Sequence, residues 1–318
     1  MNFNPVGRRF FSGDSDEAAS GYGLPGCGSL ALFSCLALLL VLLAGCAPRT
    51  MPPITSETTQ NIHSGKIVWH DLLTPDVEAA KQFYGALFGW SFKDQQGYTL
   101  AFKDGKAIAG IVEIDPKDQN KKIASWMVYL SVPNVDQAAG LVREAGGEVV
   151  QGPKEMVGRG RYALVKDPQG AALVLLRSSS GDPADVTAPG VDTWLWNELW
   201  SKDARKSLAF YQKLAGYTAS PVYEAKGDGD GYWIMLKQEK WRTGIASHPF
   251  IEVPSQWVPV IKVRDLKETM VLVKQNGGRM LLEPGHGLCR GTVAPVEDPS
   301  GAVFMVETWS APSKGKEG

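Results

Sequence analysis

The sequence predicts an α+β protein of two tandem domains, each a pair of βαβββ modules. Two observations carry that reading. The first is a long-range repeat. Trp69-His70-Asp71-Leu72, Asp76, Phe83-Tyr84, Leu87 and Gly89 recur as Trp196-Asn197-Glu198-Leu199, Asp203, Phe210-Tyr211, Leu214 and Gly216, each 127 positions on. Trp126, Gly146-Gly147, Pro153, Arg159-Gly160 and Asp167-Pro168 recur 131 positions on as Trp257, Gly277-Gly278, Pro284, Arg290-Gly291 and Asp298-Pro299. A period this long marks domain duplication, because solenoid units recur every few tens of residues. The second observation is that each copy reads as strand, helix and strands, and then the same again.

The elements follow in order. Lys66 to Leu72 alternates apolar and polar as a strand does. Asp76 then caps a helix whose apolar Ala79, Ala80, Phe83, Tyr84 and Leu87 share one face, and Gly89 stops it. Tyr98 to Phe102 and Ala107 to Ile114 are strands joined by the turn Lys103-Asp104-Gly105. The second half restarts with Trp126 to Val132 as strand and Val135 to Ala145 as helix, ended by Gly146-Gly147. Arg161 to Lys166 and Ala172 to Leu176 close the copy through Asp167-Pro168-Gln169-Gly170. The second copy repeats this order with one insertion, Gly227-Asp228-Gly229-Asp230-Gly231, in a hairpin connection.

Residues 30 to 45 precede all this as a charge-free apolar run, short for a spanning helix, ending in Leu43-Ala44-Gly45-Cys46. That tetrapeptide resembles the lipobox of bacterial lipoproteins, which implies cleavage before Cys46 and a diacylglycerol on its thiol; the competing reading is an uncleaved anchor. The expected organisation is therefore a signal peptide over 1–46 and a Pro/Thr/Ser-rich flexible tether over 47–64. The first domain follows over 65–178, a linker over 179–190, the second domain over 191–309 and a disordered tail over 310–318. Ala47 after the cysteine favours the outer membrane, facing the periplasm. Of four cysteines only Cys289 falls within the folded part, so no disulfide is expected there. With 33 basic and 34 acidic residues and no basic cluster, nucleic acid is excluded as a partner. A small molecule and the membrane remain.

The module order, with the strand Trp69-His70-Asp71-Leu72 and a helix carrying Phe83-Tyr84 and ending at Phe88-Gly89-Trp90, resembles the vicinal oxygen chelate superfamily of glyoxalases, bleomycin-resistance proteins and extradiol dioxygenases. The resemblance covers about residues 65 to 309 and implies curled mixed sheets around a ligand cleft in each domain. Enzymes of this superfamily hold a divalent metal with one His, Gln or Glu from each of four strands, leaving positions open for two substrate oxygens. Carried onto this chain, those positions fall on Trp69, Glu113, Met127 and Val174 in the first copy and on Trp196, Ser247, Val258 and Met305 in the second. One ligand in four does not hold a catalytic ion, so no metal cofactor is expected. His70 lies on the opposite strand face from Trp69 and Asp71, and its counterpart is Asn197, so hydrogen bonding is its expected role. His286 with Cys289, and Asp228 with Asp230, are too few for metal sites.

The clefts are instead expected to be apolar and aromatic, walled by Trp69, Tyr129, Trp196 and Met305, with Trp126 and Trp257 as further candidates. Asp71 with Glu113 in one cleft, and Glu198 with Glu307 in the other, would add carboxylates. Such clefts suit planar or cationic organic ligands through stacking and cation–π contact. The expected function is thus a membrane-anchored small-molecule-binding protein. The alternatives are a glyoxalase-type lyase or extradiol-type dioxygenase, Asp71 as a metal-free base, and a scaffold whose clefts are filled by its own side chains.

Overall fold

Alternation and capping translate directly into elements in the computed structural model, which describes residues 50–115, 124–224, 231–247, 254–282 and 291–309. Cys46, the tail from 310, Asp228, Asp230, His286, Cys289 and Arg290 lie outside the described residues. The first domain runs β1 (Ile67–Thr74), α1 (Val77–Phe88), β2 (Ser91–Gln95), β3 (Tyr98–Lys103) and β4 (Lys106–Glu113), then β5 (Ser125–Ser131), α2 (Val135–Glu144), β6 (Glu148–Met156), β7 (Gly160–Lys166) and β8 (Ala172–Ser178). The second runs β9 (Trp194–Ser201), α3 (Ala204–Ala215), β10 (Thr218–Glu224), β11 (Gly231–Lys237) and β12 (Lys240–Ser247), then β13 (Gln256–Val263), α4 (Leu266–Gln275), β14 (Arg279–Met280), β15 (Val293–Glu297) and β16 (Val303–Thr308).

Each domain forms one mixed eight-stranded sheet, in the order β2-β3-β4-β1-β5-β8-β7-β6 and its repeat β10-β11-β12-β9-β13-β16-β15-β14. The two modules of a domain join where β1 meets β5 antiparallel, while β1 pairs with β4 and β5 with β8 in parallel. Helix ends are specified as the sequence implies. Asp76 accepts from the Ala79 N–H at 2.9 Å, Asp203 accepts from Lys206 at 2.9 Å, and Gly89 and Gly216 close their helices in the left-handed region.

The repeated motifs meet each other across the domain boundary. α1 packs on α4 and α2 on α3, so the helical layers of both domains merge into two shared cores. Tyr84 of α1 donates to Asp298 of the second domain's Asp-Pro-x-Gly turn at 3.3 Å, and accepts from the Trp126 indole at 3.0 Å. The second copy answers with Tyr211, which accepts from Trp257 at 3.2 Å and hydrogen-bonds Asp167 of the first domain's turn. A Cβ on Gly278 would lie 2.7 Å from the Phe83 ring, and one on Gly147 would lie 3.0 Å from Phe210. Phe-Tyr, Gly-Gly and Asp-Pro-x-Gly therefore form two equivalent halves of one interface. Trp126 and Trp257 belong to it, which corrects their expected place in the clefts: they sit on the opposite face of β5 and β13 from Met127 and Val258.

His70 and Asn197 lie at the same interface. The imidazole Nε2 is 2.7 Å from Asn197 Oδ1, a contact that places the ring proton on Nε2, and the ring stacks on Trp194 at 4.1 Å. The pair joins equivalent positions of the two copies.

Residues 50–64 depart from a free tether. The Met51 N–H donates to the Val157 carbonyl at 2.8 Å, Thr59 to Ser180 at 2.9 Å, and His63 to the Asp182 carboxylate at 2.6 Å. Met51 and Ile54 are buried against the inner face of the first sheet. Two apolar side chains among prolines and threonines bury enough surface to hold the segment down as a strap. Part of the expected linker serves it: Ser180 and Asp182 are buried and receive its hydrogen bonds.

Candidate functional site

The inner face of the first sheet is filled from within. Trp69, Asp71 and Leu73 of β1 point into it, as alternation requires. Asp71 accepts from the Trp69 indole at 2.8 Å and the Tyr98 hydroxyl at 2.6 Å on Oδ1, and from the Tyr129 hydroxyl at 2.6 Å on Oδ2. Arg159, wholly buried, has Nη1 3.7 Å from Asp71 Oδ2 and donates from Nη2 to Tyr98 at 3.0 Å. Its guanidinium carbon lies 4.9 Å from the centre of the Trp69 ring and 5.1 Å from that of Tyr98. A buried carboxylate with three hydrogen-bond donors and a cation beside it is fully compensated.

Protonation follows from this packing. Burial pushes the Tyr98 and Tyr129 hydroxyls above their ordinary range, and the negative charge of Asp71 adds to that, so both remain donors. Burial pulls Arg159 down, but the hydrogen bond to Tyr98 and the negative charge of Asp71 help to outweigh it, and the guanidinium stays above its ordinary value. Asp71 is thus engaged on both oxygens and covered by the strap, a poor arrangement for a metal-free base. Tyr98 was not among the candidates from sequence. Its signal is Gly110 opposite Asp71, where a Cβ would come within 1.8 Å of the Tyr98 oxygen.

Glu113 is not in this cleft, which corrects its expected pairing with Asp71. Asp71 aligns with Gly110 and Thr74 with Glu113 in the parallel β1–β4 pair, so Glu113 projects from the other face. It is exposed, beside Pro75 and Glu78 at the start of α1.

The second cleft keeps part of the pattern. Glu198 is buried in the place of Asp71 and accepts from Tyr232, the counterpart of Tyr98, at 3.1 Å. Glycine again faces the carboxylate: Gly244 aligns with Glu198, and a Cβ there would lie 2.6 Å from the Tyr232 oxygen. Val260 replaces Tyr129, removing one donor. Met305 and Glu307 are buried and alternate onto this face of β16. Trp196 is half-buried and its indole N–H has no hydrogen-bond partner among the described residues. Its ring stands 6.3 Å from that of half-buried Trp241, tilted by 67°. No segment equivalent to the strap covers these rings among the described residues.

Among the described residues, the donor set fits a divalent metal in neither cleft. Trp69, Met127 and Val174 line the first and Trp196, Val258 and Met305 the second, and none offers an oxygen or imidazole ligand. Among the described residues no three His, Cys, Asp or Glu side chains come together.

Comparison with known proteins agrees with this architecture. Residues 66–175 match the family described as the Glyoxalase/Bleomycin resistance protein/Dioxygenase superfamily. CFP32 of Mycobacterium tuberculosis, named as a glyoxylase, is 31% identical over 244 residues, which span 75% of this chain and 92% of that protein. The anthracycline biosynthesis protein DauV of a Streptomyces species is 32% identical over 265 residues, with 76% and 92% covered. The fold resembles that of the Mn(II)-bound glyoxalase from Novosphingobium aromaticivorans, with a TM-score of 0.55 at 14% identity, covering 77% of this chain and 82% of that one. It also resembles the 2,3-dioxygenase LapB from Pseudomonas, with a TM-score of 0.54 at 15% identity, covering 79% and 95%. The chain belongs to the glyoxalase/bleomycin resistance/dioxygenase superfamily, with two such domains in tandem.

Proposed function

We propose that the protein is a lipid-anchored receptor that binds a planar, cationic organic molecule in its second-domain cleft without a catalytic metal. The observation that carries this is the difference between the clefts. In the first, every aromatic and acidic group is turned inward on a partner beneath the strap. In the second, Trp196 and Trp241 are half-buried and no segment equivalent to the strap lies over them among the described residues. Two rings inclined at 67° give a face and an edge for a flat ligand, and their π-faces favour positive charge in it. Attachment through Cys46, to the outer membrane facing the periplasm, belongs to the same reading and rests on the lipobox alone.

A second reading is favoured by the name of the mycobacterial relative: a glyoxalase-type lyase or extradiol-type dioxygenase. It requires metal ligands that the aligned positions do not supply. The two readings separate on the purified protein. Chelator-treated wild type should show saturable tryptophan quenching with proflavine, a planar cation, and Trp196→Ala should weaken it at least about tenfold, or about 1.4 kcal/mol. Stoichiometric, tightly held manganese, iron, nickel or zinc, together with quenching that disappears on chelation, would overturn the proposal in favour of the enzyme.

A further inference from the structure

We propose that residues 51–54 occupy the first-domain cleft as a ligand held in cis, and that withdrawing them opens a second site, selective for an aromatic carboxylate. The strap enters the cleft where a ligand would. Met51 and Ile54 pack into the same apolar cluster as Trp69, Tyr98 and Tyr129, with 5% and 4% of their surfaces exposed. Between them the Pro52 carbonyl accepts from Arg159 Nε at 3.0 Å. That oxygen is the strap's polar contact with the buried cluster, and it stands in for the acceptor of an external ligand.

Arg159 is the reason to expect an anion. It is fully buried, and its Nη1 has no hydrogen-bond partner among the described residues. Asp71 already collects Trp69, Tyr98 and Tyr129, so the acidic member of the cluster is satisfied while the basic member has N–H capacity in reserve. A carboxylate in place of the Pro52 carbonyl would replace a neutral acceptor with an anion, which a guanidinium can hold through two parallel N–H···O bonds. The rings beneath Arg159 would stack on the aromatic part. The preference of this site for an anion follows from Arg159 and does not depend on the second-domain reading.

The strap is seated by backbone contacts that glycine makes possible. Gly158 has φ +85°, and a Cβ there would lie 2.2 Å from the Met51 carbonyl oxygen; at Gly181, with φ +84°, it would lie 2.4 Å from Thr59 Oγ1. Sealing therefore relies on two side chains and a few backbone hydrogen bonds. Such a segment lies at the low-stability end of local opening.

The test uses 2-naphthoate and its neutral analogue 2-naphthylmethanol, followed by calorimetry on the whole chain and on Ile54→Asp. The variant should bind 2-naphthoate at least about tenfold more tightly than wild type, and this gain should be absent for the alcohol. A folded Ile54→Asp protein that binds 2-naphthoate no better than wild type overturns the proposal, as does an equal gain for the alcohol. Should the variant fail to fold, hydrogen exchange on wild type decides. Saturating 2-naphthoate should accelerate exchange of the Met51 amide, now bonded to Val157, and unchanged or increased protection overturns the proposal. Proflavine binding at Trp196 is read separately, so failure of either site leaves the other standing.

Discussion

His70 makes the domain interface sensitive to acid, with a sign and size that follow from its surroundings. Burial is the main cause that pushes its pKa from 6.5 to about 4; the hydrogen bond to Asn197 opposes this only in part. The unfolded chain therefore takes up a proton on this ring between those values while the folded one does not. A depressed folded pKa contributes stability that is present above 6.5 and lost as pH falls toward and through 4. At about 1.36 kcal/mol per pH unit, the loss between about pH 7.5 and about pH 4 comes to about 3 kcal/mol. His70→Gln keeps a donor for Asn197 and removes the titration. It also loses the stack on Trp194, but that cost does not depend on pH. Urea unfolding of both proteins at the two pH values isolates the titration, because every other group cancels in the difference. Wild type should lose about 3 kcal/mol relative to the variant on acidification. A difference that stays constant within about 1 kcal/mol would refute a neutral, sealed His70.

Three further outcomes follow from the same reasoning. Asp298 is pushed by burial from 3.8 to about 6, so its contribution has the opposite sign: it is full below 3.8 and lost as pH rises through 6. Wild type should lose about 3 kcal/mol relative to Asp298→Asn over that window in urea unfolding. Tyr129→Phe removes the donor to Asp71 Oδ2 and should cost about 1–3 kcal/mol in urea, with proflavine affinity unchanged. Cys46→Ser should move the protein from the membrane to the soluble fraction on cell fractionation, and an unchanged membrane fraction would favour an uncleaved anchor.

Much of this fold can be read in the sequence because each module announces itself with a capped helix and an alternating strand. β2 and β6 are the exceptions. Their side chains are mostly exposed or half-exposed, so no apolar alternation marks them, and register with a neighbour defines them instead. Alternation within β1 correctly divides Trp69 and Asp71 from His70. It fails for Glu113, because which face β4 presents depends on its pairing of Gly110 with Asp71, an inter-strand fact. Trp126 and Tyr129 are three apart on one strand and so face opposite ways, which parity alone could have revealed. The strap escaped because its composition is that of a linker. Only the first domain's inner face makes Met51 and Ile54 core residues. Repetition itself was legible, but its meaning lay between the copies: Tyr84 with Asp298, and Tyr211 with Asp167, are contacts that no single copy contains.

Where a ligand binds distinguishes the two clefts most directly. Indole N–H resonances of tryptophan-labelled protein, assigned by Trp196→Phe and Trp69→Phe, report on the two clefts at once. On addition of proflavine to chelator-treated wild type, the Trp196 signal should shift saturably, because its N–H has no hydrogen-bond partner among the described residues, while the Trp69 signal, held between Asp71 and Tyr98, stays in place. A shift of Trp69 without Trp196, or no shift of either at saturating proflavine, would contradict the assignment of the second-domain cleft as the binding site.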